Sequence, residues 1–272
     1  MKALLIFTVV SAGILNNPAA KLKFTYAIEN IPFPAKKDKG GEDAYFGSDY
    51  ILSVADGVGG WNQRGVDPAK YSKKLAENTE RFTKSDPIKY RKNPKQMLVD
   101  VANNNKEIGS STMVIATIDP DSNLLRTSYI GDSSYLLVRS DPSNGNYVTA
   151  YRSEEQQHSF NFPFQIGSMG DNPNEALAFQ HELKENDILI LGTDGMFDNL
   201  FDNQVLDLLN ENKEWSVEEI SKALGAIAFE KSLDTSYMSP FAVGARKAGF
   251  YFLGGKSDDI TIIVAKVVRD NN

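Results

Sequence analysis

The chain has 272 residues, of which 41 % are hydrophobic and 24 % charged. It therefore carries enough apolar material for a real core and lacks the composition of a disordered chain. A formal net charge of −7 argues against a nucleic-acid binder, which would show a basic stripe. There is no cysteine and only two histidines, His158 and His181, which excludes disulfides, thiol nucleophiles and thiolate zinc sites. Any metal must then be held by oxygen ligands, which points to magnesium, manganese or calcium.

The amino-terminal stretch MKALLIFTVVSAGIL sets a lysine before an apolar run too short to span a membrane. Two readings are open: a signal-peptide core, with Ser11, Ala12, Ala19 and Ala20 as small residues for cleavage, or a buried first strand. The segment lacks the arginines of a mitochondrial transit peptide. Residues 1–20 are set apart as a candidate targeting segment, and 21–269 are taken as one domain without repeats, low-complexity tracts or linkers.

Apolar, β-branched runs bounded by Asp, Gly or Pro predict strands at 22–29, 44–46, 51–55, 112–118, 124–130, 135–139, 188–192 and 260–267. Asp67-Pro68 predicts a helix to about residue 82 with Tyr71 and Leu75 inward, and Asn93-Pro94 predicts another to about 104. The capping box at Ser216 and Glu219 opens a helix to about 230, and a short helix is expected after Pro240. Residues 141–181 are richer in Asn, Ser, Pro and Gln; they read as a surface loop system with some short strands, the kind of segment that often forms a lid. The early strands are hairpin-like, not alternating with helices. The expected class is α+β, with antiparallel sheets covered by helices.

Acidic residues recur at the predicted strand ends. Glu42 and Asp43 precede a strand in GGEDAYF, Asp56-Gly57 follows one in VADGVGG, and Asp194-Gly195 follows another in GTDGMFDN. Asp258 and Asp259 open the last strand, and Asp132 sits in a turn in IGDSSYLL. Taken singly, each is explained as a turn residue. Brought to one rim they would repel, since two unit charges about 4 Å apart interact by roughly 4 kcal/mol at an effective dielectric near 20. Divalent cations readily offset that, and glycine after aspartate lets a carbonyl approach a cation. The pattern points to a two-metal, oxygen-ligand site of the kind used in hydrolysis, and no EF-hand loop is present. The lysine run AKKDK at 35–39 reads either as a solvated loop or as an attractor for an anionic substrate. Asp198 and Asn199 read as helix-start residues.

The motifs GGEDAYF, VADGVGGW, GSSTMVIATI, YIGDSSYLLVRS, GTDGMFDN and SDDITIIVAKV resemble, in order and spacing, the metal-dependent serine/threonine phosphatases of type 2C, the PPM class. Finer stretches (DGVGGW, VDPAKYS, EEQQHSFNFPFQ, MSPFA and GGKSDDIT) resemble its T-cell-activation, plant-type and mitochondrial branch. The resemblance implies a sandwich of two antiparallel sheets flanked by helix pairs, with metals at one end of the cleft. It implies Mn2+ or Mg2+ as cofactor: Asp56 bridging two ions, the Gly57 carbonyl completing the first, and Asp194 and Asp258 holding the second. Asp56 and Asp194 would thus be the catalytic pair, Glu42 and Asp43 would orient water, and Asp132 with Asp194 would hold a weaker third ion. The substrate implied is a phosphoprotein, attacked at phosphorus by a metal-bound hydroxide without a phosphoenzyme.

Two positions depart from the family pattern. Val58 stands where a histidine general acid is often found, and Asp38, flanked by Lys37 and Lys39, where a phosphate-binding arginine usually lies. Loss of a general acid typically costs about 10²–10⁴-fold. Lys37, Lys39 and Arg64 are the candidate phosphate contacts, His158 a candidate substitute acid or a loop-structural residue, and His181 a surface residue. A binding module that keeps the fold without the chemistry, and a hydrolase of small phosphate esters, are the alternatives. No nucleic-acid partner, membrane span or particular oligomeric state is implied. The branch is often mitochondrial or plastid, whereas the amino terminus looks secretory if it is a signal.

Overall fold

The structure is a computed structural model that describes residues 21–271. The segment 1–20, read as a targeting signal or first strand, lies outside the described residues. The chain enters through β1 (Leu22–Ile31), β2 (Asp43–Gly47) and β3 (Ile51–Asp56), then α1 (Pro68–Ser85), α2 (Pro87–Lys92) and α3 (Pro94–Asn103). It returns through β4 (Ser110–Ser111), β5 (Met113–Ile118), β6 (Leu124–Ile130), β7 (Ser134–Ser140) and β8 (Tyr147–Arg152). Short strands β9 (Gln157–Ser159), β10 (Phe162–Pro163) and β11 (Ile166–Gly167) precede β12 (Leu177–Glu182) and β13 (Ile188–Gly192). Then come α4 (Asp194–Phe197), α5 (Asp202–Glu211), α6 (Val217–Leu233), α7 (Pro240–Lys247) and β14 (Ile260–Arg269).

Two five-stranded antiparallel sheets result, one ordered β1-β14-β13-β7-β8 and the other β12-β6-β5-β3-β2. Their inner faces interdigitate through Leu52, Val54, Val114, Leu137, Leu191 and Ile263, all buried. The outer face of the first sheet packs Ile190, Ile262 and Val264 against Val205 of α5 and Ile220 and Leu224 of α6. The outer face of the second packs Ile51, Met113 and Ile115 against Tyr71 and Leu75 of α1 and Met97 and Leu98 of α3. Each sheet is thus covered on both sides, which is why β5 and β13 read as unbroken apolar runs instead of alternating ones. Truncating a fully buried leucine such as Leu191 to alanine costs about 2–5 kcal/mol.

Helices α1, α2, α3 and α7 start where asparagine, aspartate or serine precedes proline. Asp67 accepts from Ala69 N at 3.1 Å, Asn93 from Gln96 N at 3.0 Å, and Ser239 from Ala242 N at 3.0 Å. Ser216 and Glu219 close the expected capping box. The same signal at Asp86-Pro87 opens α2, which the sequence reading passed over. The segment 141–181 is more regular than a loop system with short strands: β8 and β12 complete one sheet each as edge strands. Their alternation is weak because they are largely solvent-facing, leaving Leu177 and Phe179 exposed on β12. Residues 157–163 form a small β9–β10 hairpin that brings Asn161 and Pro163 to the rim of the cavity described next.

Candidate metal centre

Strand ends from both sheets meet at one end of the sandwich. β3 stops at Asp56, which pairs in register with Asp43 at the start of β2. β13 stops at Gly192, and after Thr193 the chain turns into α4 at Asp194. Asp258 stands just before β14, and Asp132 lies in the turn joining β6 to β7. Asp56, Asp194, Asp258 and Asp132 border a cavity of about 260 Å³, which Glu42, Lys36 and Lys256 also line. Glycine is required beside the acids. A Cβ on Gly57 would lie 2.7 Å from the Glu42 carbonyl oxygen, and one on Gly195 would lie 2.0 Å from the Asp259 carbonyl oxygen.

The carboxylates are unequal: Asp132 and Asp194 are buried, and Asp56 and Asp258 half-buried. Burial, then the charges of Asp43, Asp194 and Asp258, push Asp56 well above the usual carboxylate range. Burial and Asp194 push Asp132 the same way, and burial and Asp194 raise Asp258. Asp194 goes the other way: burial raises it, but the Lys256 ammonium reverses that and holds it ionised. Lys256 Nζ is in direct contact with Asp194 Oδ2 and lies 2.7 Å from Asp198 Oδ2. Burial pulls the ammonium down, and Asp194, Asp198 and Asp258 more than restore it, so it stays charged. Asp198 is itself raised to about 7 by burial, Lys256 opposing.

Asp194 Oδ1 is buried with no donor directed at it, and the neighbouring Asp56 carboxyl offers a hydrogen bond only while it holds a proton. A buried carboxylate oxygen without a donor, among further carboxylates, suits a hard divalent cation. Among the described residues no three carboxylate or imidazole groups already converge around one point at ligand distance. Ions of this class complete their shells with several waters, so a few protein oxygens per ion suffice. Asp56, the Gly57 carbonyl, Asp194 and Asp258 fit that demand.

Other predicted residues take different places. Asp43 does not border the cavity; its Oδ2 accepts from Thr193 Oγ1 at 2.8 Å, fixing the corner that carries Asp194. Burial and the Asp259 charge raise its carboxyl to about 8. Glu42 does border the cavity, with Oε1 accepting from Asn62 Nδ2 at 2.7 Å. Lys37 and Lys39 are exposed on the Pro34–Lys39 turn and absent from the cavity wall. Their neighbour Lys36 is the inward lysine, because Glu42, Asp258 and Asp259 draw it in: Nζ lies 2.7 Å from Glu42 Oε2, 3.2 Å from Asp258 Oδ1 and 3.1 Å from Asp259 Oδ2. Arg64 borders an adjoining cavity, 5.2 Å from the Trp61 ring centroid and 3.1 Å from Met169 Sδ.

His158 borders that same adjoining cavity, with Nε2 2.9 Å from Asp171 Oδ1 and its ring stacked on Phe164. His181 is not a plain surface residue: Nε2 bonds the Tyr135 hydroxyl at 2.8 Å, the ring packs on Tyr151, and burial lowers its pKa. Asp198 and Asn199 do not start a helix; Asp198 caps the end of α4, and α5 begins at Asp202. Sequence reasoning missed Lys36, Asp198 and Lys256 as site residues. The available signal was proximity, since Asp198 is one helical turn past Asp194 and Lys256 two residues before Asp258.

The chain is similar to several known proteins. Residues 47–268 match the family described as stage II sporulation protein E (SpoIIE). The chain is 34 % identical over 265 residues to a probable protein phosphatase 2C 26 of Arabidopsis thaliana, covering 91 % of this chain and 85 % of that protein. It is 36 % identical over 251 residues to the human protein phosphatase PTC7 homolog, covering 84 % of this chain and 80 % of that protein. Its fold is similar to the X-ray structure of the photosystem II phosphatase PBCP, with a TM-score of 0.81 and 32 % identity over 89 % of this chain and 98 % of that one. A more distant likeness in fold, with a TM-score of 0.62 at 17 % identity over 91 % of this chain and all of that one, is to the catalytic domain of the serine/threonine phosphatase PstP in complex with two manganese ions. The chain belongs to the PP2C-type protein phosphatases of the PPM family, metal-dependent hydrolases of phosphoserine and phosphothreonine.

Proposed function

We propose that the cavity cleaves the phosphate from phosphoserine and phosphothreonine side chains of a protein substrate in one displacement by water, with two Mn2+ or Mg2+ ions and no phosphoenzyme. The observation that carries this is the meeting of Asp56, Asp194 and Asp258 from three strand ends at one cavity, with Asp194 Oδ1 buried and without a donor. When bound by Asp56, the Gly57 carbonyl, Asp194 and Asp258, the ions supply an activated water and neutralise phosphoryl charge. No cysteine is available as a nucleophile.

The chain's own residues orient and hold. Glu42, fixed by Asn62, presents Oε2 to the cavity beside Lys36 and aligns water there. Lys36, shared among three carboxylates, meets a phosphoryl oxygen as a point charge, without the two-pronged fit of an arginine. Val58 borders the cavity where a proton donor would help the departing alkoxide. The proton then comes from water, and chemistry at this step is slow by the amount a general acid otherwise contributes.

The test is phosphate release from a phosphopeptide. Activity is expected with manganese, is lost in EDTA, and falls at least about 10²-fold in Asp56→Asn, as when a key transition-state contact is removed. Full activity in EDTA, or in Asp56→Asn combined with Asp194→Asn, sinks the proposal.

A further inference from the structure

We infer that Lys256 is a tethered cation standing where the family resemblance implies a weaker third metal ion, so that this chain binds two divalent ions and no third. The inference rests on the two-ion reading above and concerns the far side of Asp194. The Lys256 ammonium bridges Asp194 and the half-buried Asp198, and the buried Asp132 carboxylate lies close enough to feel its charge. Its Nζ contacts Asp194 Oδ2, lies 2.7 Å from Asp198 Oδ2 and sits 5.1 Å from the Phe241 ring centroid.

The main chain of Lys256 is pinned as firmly as its tip. Its N–H donates to Asn199 Oδ1 at 2.9 Å, and its carbonyl accepts from Asn199 Nδ2 at 2.9 Å. The same Asn199 Nδ2 donates to the Gly195 carbonyl at 2.9 Å, so one side chain ties Lys256 to the turn that carries Asp194. On its other side Gly255 lies so close to the end of α6 that a Cβ there would meet the Lys231 carbonyl oxygen at 1.9 Å. Swinging aside would cost the ammonium its contacts with both Asp194 and Asp198. A divalent ion at this position would have to share it with that fixed charge. Oδ1 of Asp194, and the carboxylates of Asp56 and Asp258, stay free of Lys256 hydrogen bonds and remain for the two principal ions.

The experiment counts bound Mn2+ on the purified chain by calorimetry and by electron paramagnetic resonance, up to millimolar metal, and places the ions by anomalous scattering. Wild type is expected to bind two. Lys256→Met, which keeps length and loses charge, is expected to gain a third and weaker site between Asp132 and Asp198, whereas Lys256→Arg stays at two. Three ions in wild type, or two in a folded Lys256→Met, overturns the inference while leaving the two-ion reading intact. No bound ion in wild type overturns both. Should Lys256→Met fail to fold, the wild-type count and the scattering map still decide: two peaks support the tethered cation, and a peak between Asp132 and Asp198 refutes it.

Discussion

Raising the pH of the EDTA-treated protein from about 7 to about 9 lowers its thermal midpoint. Buried carboxylates that hold protons in the folded state must release them over that range. Asp43 gives the magnitude. It is 3 % exposed, and burial with the Asp259 charge raises its carboxyl from 3.8 to about 8. An unfolded aspartate is already ionised at pH 7, so the folded chain binds the extra proton; stability is held at low pH and lost as the pH rises through 8. Asp43 alone loses about 1.4 kcal/mol across this window. For a domain of this size that corresponds to a fall of roughly 3–5 °C in midpoint. Asp56, raised well above its ordinary value, acts with the same sign, while His181, lowered by burial, has already lost its proton below this range. The assay is a circular-dichroism melt at both pH values for wild type and Asp43→Asn. The variant keeps an acceptor for Thr193 Oγ1 and should lose about 1.4 kcal/mol of the pH dependence. A midpoint that is flat or rises with pH in EDTA, or an Asp43→Asn chain with the wild-type slope, refutes the reasoning.

Lys36→Met should raise KM for a phosphopeptide by about 10-fold or more, the loss of one charge-assisted contact, while Lys37→Met and Lys39→Met leave it unchanged in steady-state kinetics. Gly195→Ala, whose Cβ would lie 2.0 Å from the Asp259 carbonyl oxygen, should destabilise the chain by more than about 3 kcal/mol in urea unfolding, because backbone has to move to admit it.

The site's principal acids were legible because each follows or precedes an apolar run that has to be a buried strand. Once β3, β13 and β14 lie in two facing sheets, Asp56, Asp194 and Asp258 meet without further choice. Lys256 was not legible in the same way. Its position depends on Asn199 clasping its backbone and on a glycine packing against α6, contacts between residues 57 apart in one case and 24 apart in the other. Among the lysines of the 35–39 run, composition offers no reason to prefer Lys36; three carboxylates from distant segments select it. The edge strands β8 and β12 escaped because period-two alternation needs one buried face, and theirs is largely solvated. His181 was misplaced for the complementary reason: its partners, Tyr135 and Tyr151, come from the opposite sheet.

Asp259 holds the amino-terminal part of the site from near the other end of the chain. Its Oδ1 accepts from Phe33 N at 2.7 Å, and its Oδ2 accepts from Glu42 N at 2.8 Å and from Lys36 Nζ at 3.1 Å. Behind it, β14 is inserted between β1 and β13, so among the described residues the first strand pairs only with the last. During synthesis, which proceeds at about 5–20 residues per second, the segment that carries Lys36 and Glu42 waits for more than 200 residues before its anchor leaves the ribosome. A nascent chain stopped between Asp56 and Asp259 therefore has its β2–β3 acids but lacks the anchor that holds them at the cavity. A chain ending between Asp56 and Asp259 is expected to release no phosphate from a phosphopeptide.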